Sequence, residues 1–423
     1  MIDFRRKNQY LPSRGFFKRK GKSIQLSLWF VPIFLVFLSS LLIASTQRQV
    51  NFANWYDHIF TGFFGLGIAF WLGQFPLERV RPYLNLIYGL TLISLISVCF
   101  LGTSALGAQR WLSFAGINLQ PSELAKLTCI LVLAAVLEKH KFDAPSKIFR
   151  PLAVIAFPWA LIFIQPDLGT SLVFGAILLV MLYWSGMPSE WGIIVLSLIL
   201  TACIAGIFPF GLILWVPIMG LIAYKSFPRR NIFLVATMAS HGLVGWFTPW
   251  LWINALKDYQ RDRLILFLDP SKDPLGGGYH LIQSKIGIGS GGMFGIGILQ
   301  GQLTKLNFIP EQHTDFIFSA LGEEGGFVGT MIVISAFFFF ISRIFKLAKE
   351  ARTDFESLVV IGIGTMFMFQ VVVNIFMTIG LGPVTGIPLP FMSYGRTALL
   401  VNFTALGFCL SVARRSQLVG KNW

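Results

Sequence analysis

The sequence predicts an all-α polytopic membrane protein: one bundle of about twelve transmembrane helices with a single large outer loop. Three observations carry this. Hydrophobic residues make up 55% of the 423 positions and charged residues only 13%, about half the charged share of a typical soluble domain. Twelve apolar runs are long enough, or nearly so, to cross a hydrocarbon core of about 30 Å. The basic residues are distributed unevenly between the two sets of loops those runs define.

Residues 1–26 form a basic segment with eight Lys or Arg. The first apolar run begins near Leu26 behind that segment. It is long enough to span, so it reads as the first membrane helix rather than a cleavable signal. The runs fall near 27–45, 57–74, 84–101, 122–138, 151–165, 168–186, 191–206, 209–225, 231–254, 316–342, 357–380 and 397–413. With the N-terminus inside, the inner segments hold 24 basic residues and the outer ones nine. The opposite orientation would invert the positive-inside bias. The tail, 414–423, is then cytoplasmic and the bundle proper is 27–413. The net charge of +15 follows from this topology and from anionic lipid headgroups; no nucleic-acid signature accompanies it. Cys99, Cys129, Cys203 and Cys409 lie singly in apolar runs without metal-ligand spacing and read as small buried hydrophobes.

Two outer segments are too long to be plain connectors. One is 102–121. The other, 255–315, carries many glycines, which permit tight turns and close approach of backbone to a ligand. It ends at Glu311, His313, Thr314 and Asp315, where the next run enters the membrane. Asp315 suits a helix N-cap, and an ionised carboxylate at a water–lipid boundary can also accept a proton. Glu323 and Glu324 follow roughly 12–14 Å deeper by helical rise. Carboxylates there are costly unless they meet a cavity or a partner, so a helix–helix bond and a functional role are both open. In the 102–121 segment, Arg110 can grip a phosphate as a fork or act as an interfacial anchor. Pro121 suits the first position of the next helix. Glu123 and Lys126, three apart, can pair with each other, or Lys126 can meet a substrate pyrophosphate. Asp167, in QPDLGTS, reads first as a turn and cap residue. The Pro/Gly-rich stretch 380–396 re-enters the bundle, where non-helical backbone normally lines a cavity.

Together, QRWLSFAGINLQPSELAK, QPDLGTS, DYQRDR with DPLGGGYHLIQSKIGIGSGG, FIPEQHTDFIF with GEEGG, and GIPLPFMSYG resemble, in order, the blocks of the SEDS family (shape, elongation, division and sporulation). DYQRDR and YHLIQSK are more similar to the elongation-type members than to the division-type ones. The resemblance implies a glycosyltransferase of the bacterial inner membrane that polymerises lipid II, the undecaprenyl-pyrophosphate-linked disaccharide peptide, beside a class B penicillin-binding protein as transpeptidase. It places the essential aspartate at Asp315. The candidate substrate contacts are Arg110, Glu123, Lys126, Asp167, Gln283, Ser284, Lys285, Glu311, His313, Thr314, Glu324 and Ser393, with Arg110 and Lys126 as stabilisers of the leaving pyrophosphate. No cofactor is evident and no metal ligands are assigned; a divalent cation sharing the leaving-group duty stays open. Two departures stand out. SYGRT replaces the usual SYGGS, and twelve runs replace the family's ten spans, which points to an inserted peripheral hairpin within 191–225. A lipid flippase, a division-type polymerase and a non-catalytic scaffold are the rival readings.

Overall fold

The computed structural model describes residues 14–46, 54–105, 108–114, 117–139, 145–165, 167–227, 229–254, 258–274, 278–306, 308 and 311–418. The start of the basic N-terminal segment, Arg48, Gly276, Gly277 and the tail beyond 418 lie outside the described residues. Each of the twelve apolar runs is a helix. In chain order these are α1 (Arg14–Thr46), α2 (Trp55–Gln74), α3 (Leu84–Leu101), α4 (Pro121–Glu138), α5 (Phe149–Ile164), α6 (Leu168–Trp184), α7 (Ser189–Ile207), α8 (Leu212–Ser226) and α9 (Arg230–Asn254). The long loop expected to be outer adds the short α10 (Asp258–Leu268), α11 (Tyr279–Ser290) and α12 (Gln302–Lys305); α13 (Ile317–Glu350), α14 (Asp354–Ile379) and α15 (Arg396–Leu418) complete the bundle. Among the described residues, eight helical segments are long and apolar enough by themselves to cross a membrane, and α5 and α6 are shorter apolar helices. The chain is a multi-pass membrane protein.

Burial separates centre from edge. The apolar windows of α14 and α15 are 72% buried, whereas those of α8 and α9 are 17% buried. The core is continuous through α4, α6, α13, α14 and α15, with Phe340, Phe367, Phe391 and Phe403 interlocked at ring separations of 5.2–5.8 Å. The outward faces stay apolar, as lipid contact requires: Phe63, Phe100 and Trp246 are among the most exposed side chains.

Helices α7 and α8 form a hairpin at the periphery. Trp191, at the start of α7, stacks on Phe227, just past α8, with ring centroids 4.8 Å apart, and Phe227 stacks on Phe233 of α9 at 4.2 Å. The chain therefore leaves one end of the bundle in α7 and returns to it in α8. Two side-chain hydrogen bonds hold the trio together away from water, Ser197 Oγ to His241 Nε2 at 2.8 Å and Trp215 Nε1 to Thr201 Oγ1 at 3.0 Å. Such bonds substitute for a hydrophobic drive that lipid does not supply.

The structure differs from the sequence expectation in two local respects. The 102–121 segment is not an irregular loop but a small antiparallel sheet of β1 (Thr103–Ala105), β2 (Ala108–Phe114) and β3 (Ile117–Leu119); three-residue strands are too short for alternation to show. The second is in α13, which is broken at Gly326 (φ 62°, ψ −164°), a conformation open only to glycine. The outer loop fills the break. Ile296 N and Gly297 N donate to Glu323 O and Glu324 O, while Phe327 N and Val328 N donate to Gly292 O and Met293 O, at 2.9–3.1 Å. Backbone groups freed inside a membrane must find such partners.

Candidate active site

Five separate stretches of chain meet at one end of the bundle around Asp315. The residue closes a tight turn that begins at Glu311, whose left-handed φ of 52° lets its carbonyl accept from Thr314 N, Asp315 N and Phe316 N at 3.1–3.4 Å. Thr314 Oγ1 donates to the Glu311 carboxylate at 3.1 Å. Asp315 precedes α13, and Phe316 rather than Asp315 is the cap residue, with no side-chain capping bond. The carboxylate is thus not consumed by helix capping.

The re-entrant segment forms the opposite wall. Gly386 has φ +73°, and a β-carbon placed on it would stand 3.2 Å from Asp315 Oδ2 and 3.9 Å from Arg263 Nη1. A glycine here lets backbone lie directly against the carboxylate. Arg263 comes from α10. The QPDLGTS turn packs behind, since a β-carbon on Gly169 would meet Thr385 O at 2.5 Å. Asp167 caps α6, accepting from Thr170 N at 3.2 Å and Thr170 Oγ1 at 2.9 Å, and its Oδ1 lies 4.0 Å from Arg110 Nη1 of β2. Asp167 is thus a cap residue that also lies near Arg110.

These neighbours set the proton affinity of Asp315. Burial pushes its pKa up from the ordinary carboxylate value to about 6; the Glu311 carboxylate adds to the rise, Arg263 and Arg110 oppose it, and Asp167 adds a little. Burial likewise holds His313 below the usual imidazole range, with Glu311 opposing. The His313 ring meets Tyr394 edge-on at 5.7 Å, and its carbonyl accepts from Tyr394 N at 2.8 Å. This joins the Asp315 turn to the SYGRT stretch. There, Arg396 Nη2 donates to Asp57 Oδ2 of α2 at 2.8 Å, and Thr397 Oγ1 donates to Asn118 O at 3.1 Å while accepting from Gln120 N at 3.3 Å. The two departures from SYGGS thus fasten α15 to α2 and to the small sheet.

Most of the other residues singled out in the sequence make contacts within the fold. Lys126 and Glu123 pair at 2.7 Å with both side chains at most 2% exposed, so in this structure the lysine is sealed against its own carboxylate. Glu324 accepts from Ser45 Oγ and, at 3.0 Å, from Leu299 N. Glu323 accepts from Leu303 N, Thr304 N and Thr304 Oγ1 at 2.6–2.9 Å. Both pin the outer loop to α13. Ser284 is buried, bonded to Ser319 Oγ at 2.5 Å and donating to Thr378 O at 2.6 Å. Ser393 Oγ accepts from Leu389 N at 2.7 Å inside the re-entrant turn. Gln283 is half-buried and Lys285 exposed on α11, with the Lys285 side chain lying over Gly380.

Sequence reasoning missed Arg263, Gly386 and Asn374. Asn374, fully buried in α14, donates through Nδ2 to Asp315 O at 2.9 Å and to Ile387 O at 2.8 Å. A lone Asn inside an apolar run was the available signal, because a buried amide needs partners. Among the described residues no three His, Cys, Asp or Glu side chains gather into a metal-binding group.

A multi-spanning bundle that holds a raised-pKa carboxylate with two guanidinium groups in electrostatic reach has the makings of a membrane enzyme. The chain belongs to the FtsW, RodA and SpoVE family of cell cycle proteins, whose model matches residues 21–418. It is 34% identical over 359 residues to the peptidoglycan glycosyltransferase MrdB of Escherichia coli K12, covering 85% of each chain. It is 32% identical over 418 residues to the peptidoglycan glycosyltransferase RodA of Treponema pallidum, covering 92% of this chain and 96% of that one. Among solved structures it resembles a chain of a peptidoglycan synthase complex described as coordinating polymerization and crosslinking, with a TM-score of 0.69 at 29% identity, covering 92% of this chain and 97% of that one.

Proposed function

We propose that this chain is an elongation-type peptidoglycan glycosyltransferase that polymerises lipid II on the outer face of the bacterial inner membrane, with both termini cytoplasmic, beside a class B penicillin-binding protein. The observation that carries this reading is the Asp315 carboxylate held against Gly386 with Arg263 and Arg110 in electrostatic reach.

The reaction divides among these groups by charge. The Asp315 carboxylate takes the proton from a sugar hydroxyl of one lipid-linked disaccharide. The hydroxyl oxygen forms a bond to the anomeric carbon of a second molecule, with inversion. The anomeric carbon–oxygen bond breaks, and the electron pair leaves with the lipid pyrophosphate. Arg263 and Arg110 stabilise that developing charge; preorganised cations at a site of low dielectric contribute most where charge appears. Lys126, sealed on Glu123, has a supporting part in this scheme. A divalent cation is compatible with the pyrophosphate chemistry but is assigned no residues.

Purified wild-type and Asp315→Asn proteins given lipid II separate the readings. Asn keeps the size and removes the base, so polymer should fall at least about a hundredfold while insertion and partner binding persist. Full activity in the Asn protein removes Asp315 from the mechanism. Translocation without polymer would make the chain a flippase, and neither activity would make it a scaffold.

A further inference from the structure

The Asp315 turn and the re-entrant segment are separate pieces of chain, yet the catalytic geometry depends on their relative placement. The carboxylate sits on one; Gly386, the backbone wall against it, sits on the other. Among the described contacts, one side chain bonds directly to both. Asn374 is 0% exposed, and its single Nδ2 spends its two hydrogens on Asp315 O at 2.9 Å and Ile387 O at 2.8 Å, one residue away from Gly386. Two carbonyls facing one end of the amide fix its orientation, because the oxygen end would repel both. The other end, Oδ1, is buried without a hydrogen-bond partner. A buried orphan acceptor costs stability, so the site retains this side chain for what its nitrogen does. Leucine, with the same branched shape, would avoid that penalty in an apolar run.

We propose that Asn374 is the positioning residue of the polymerisation site: its amide clamps the main chain of the base, Asp315, to the re-entrant wall, and so sets the carboxylate against Gly386 and the Arg263 guanidinium. The proposal rests on the reading of Asp315 as the base. The clamp acts through main-chain atoms, so it touches no substrate and leaves both carboxylate oxygens open. The charged and titratable groups around the carboxylate are Glu311 and His313 on its own turn, Arg263 from α10, Arg110 from the small sheet and Asp167 from the α6 cap. Releasing the clamp changes the distance of Asp315 to all of them and admits water.

The test is Asn374→Leu, with Asn374→Ser as a second variant that cannot span both carbonyls, in polymerisation assays on purified lipid II across pH 4.5–8.5. Misplacement of a reacting group by about 1 Å costs on the order of a hundredfold. The expected result is a kcat lower by roughly ten- to a hundredfold with KM changed by less than about threefold, and an acid limb displaced to lower pH as water reaches the carboxylate. A purely structural role would lower the yield and melting temperature of folded protein and leave kcat per folded molecule and the limb unmoved. That result, in either folded variant, overturns the proposal. If Asn374→Leu does not fold, Asn374→Ser decides alone. Asp315→Asn is run in parallel. If that protein is fully active, the reading of the base has failed. If it is inactive while the Asn374 variants match wild type, only the clamp has failed.

Discussion

The acidity of Asp315 gives the sharpest prediction. Its pKa of about 6, against an ordinary value of 3.8, arises first from burial and then from Glu311, with Arg263 and Arg110 pulling the other way. The active form of a base is the deprotonated one. It is about nine-tenths populated at pH 7 and about one-tenth at pH 5 for such a pKa, so kcat/KM should fall about tenfold between them. Two substitutions should move this limb in opposite directions. Glu311→Gln removes a like charge and shifts it to lower pH; Arg263→Gln removes a favourable charge and shifts it to higher pH. Initial rates of lipid II polymerisation by purified protein, from pH 4.5 to 8.5, measure both. The same shift has a stability consequence. Between pH 3.8 and 6 the folded state holds more protons than the unfolded one, so stability falls as pH rises through that window and levels off above it. About two pH units correspond to at most about 3 kcal/mol, which Asp315→Asn should recover at pH 7 while losing activity. A rate flat from pH 5 to 7, or limbs moving the same way in the two variants, would refute the reasoning.

Further expectations follow from the same geometry. Lys126→Met leaves Glu123 buried and unpaired and should destabilise the protein by roughly 3–5 kcal/mol; adding Glu123→Gln should restore folding, as melting in detergent would show, and restored polymerisation with it would confine the pair to a structural role. Gly386→Ala adds a methyl 3.2 Å from Asp315 Oδ2 at a φ of +73°; the strain should cost about 1–2 kcal/mol while kcat drops further than stability alone explains, and unchanged kcat would remove the re-entrant wall from the site. A single cysteine at position 226, replacing Ser226 in a protein without its four native cysteines, should react with an impermeant maleimide only from the cytoplasmic side, and labelling from outside would reverse the placement of the α7–α8 hairpin.

What the sequence disclosed and what it hid divide by range of interaction. Twelve helices were legible because lipid demands a continuous apolar stretch for each crossing, and the hairpin of α7 and α8 was legible because only an odd number of crossings joins Pro188 to the outer loop. Asp315 was legible as a carboxylate at a membrane boundary. The double roles of Glu123, Lys126 and Glu324 were not resolvable, since a buried charge signals a partner without naming it; the structure gives Lys126 to Glu123 and Glu324 to Ser45 and Leu299. The roles of Arg263 and Asn374 were hidden for a stronger reason. Arg263 is one of several charged residues in DYQRDR and Asn374 a lone amide in an apolar run, and what each of them meets is set only by the fold.

That contrast bears on how a lipid-embedded bundle makes a precise site near its surface. A carboxylate at the rim, with water on one side, would keep an ordinary pKa and a mobile side chain. Here the re-entrant segment packs against the turn bearing Asp315, and non-helical backbone at that level survives because polar groups of that segment are met by Asn374 and Ser393. The same packing that satisfies the backbone partly buries Asp315 and lifts its pKa toward neutrality. Structural support and proton affinity are therefore one feature: loosening the re-entrant wall should return Asp315 toward an ordinary carboxylate, easier to ionise and a weaker base.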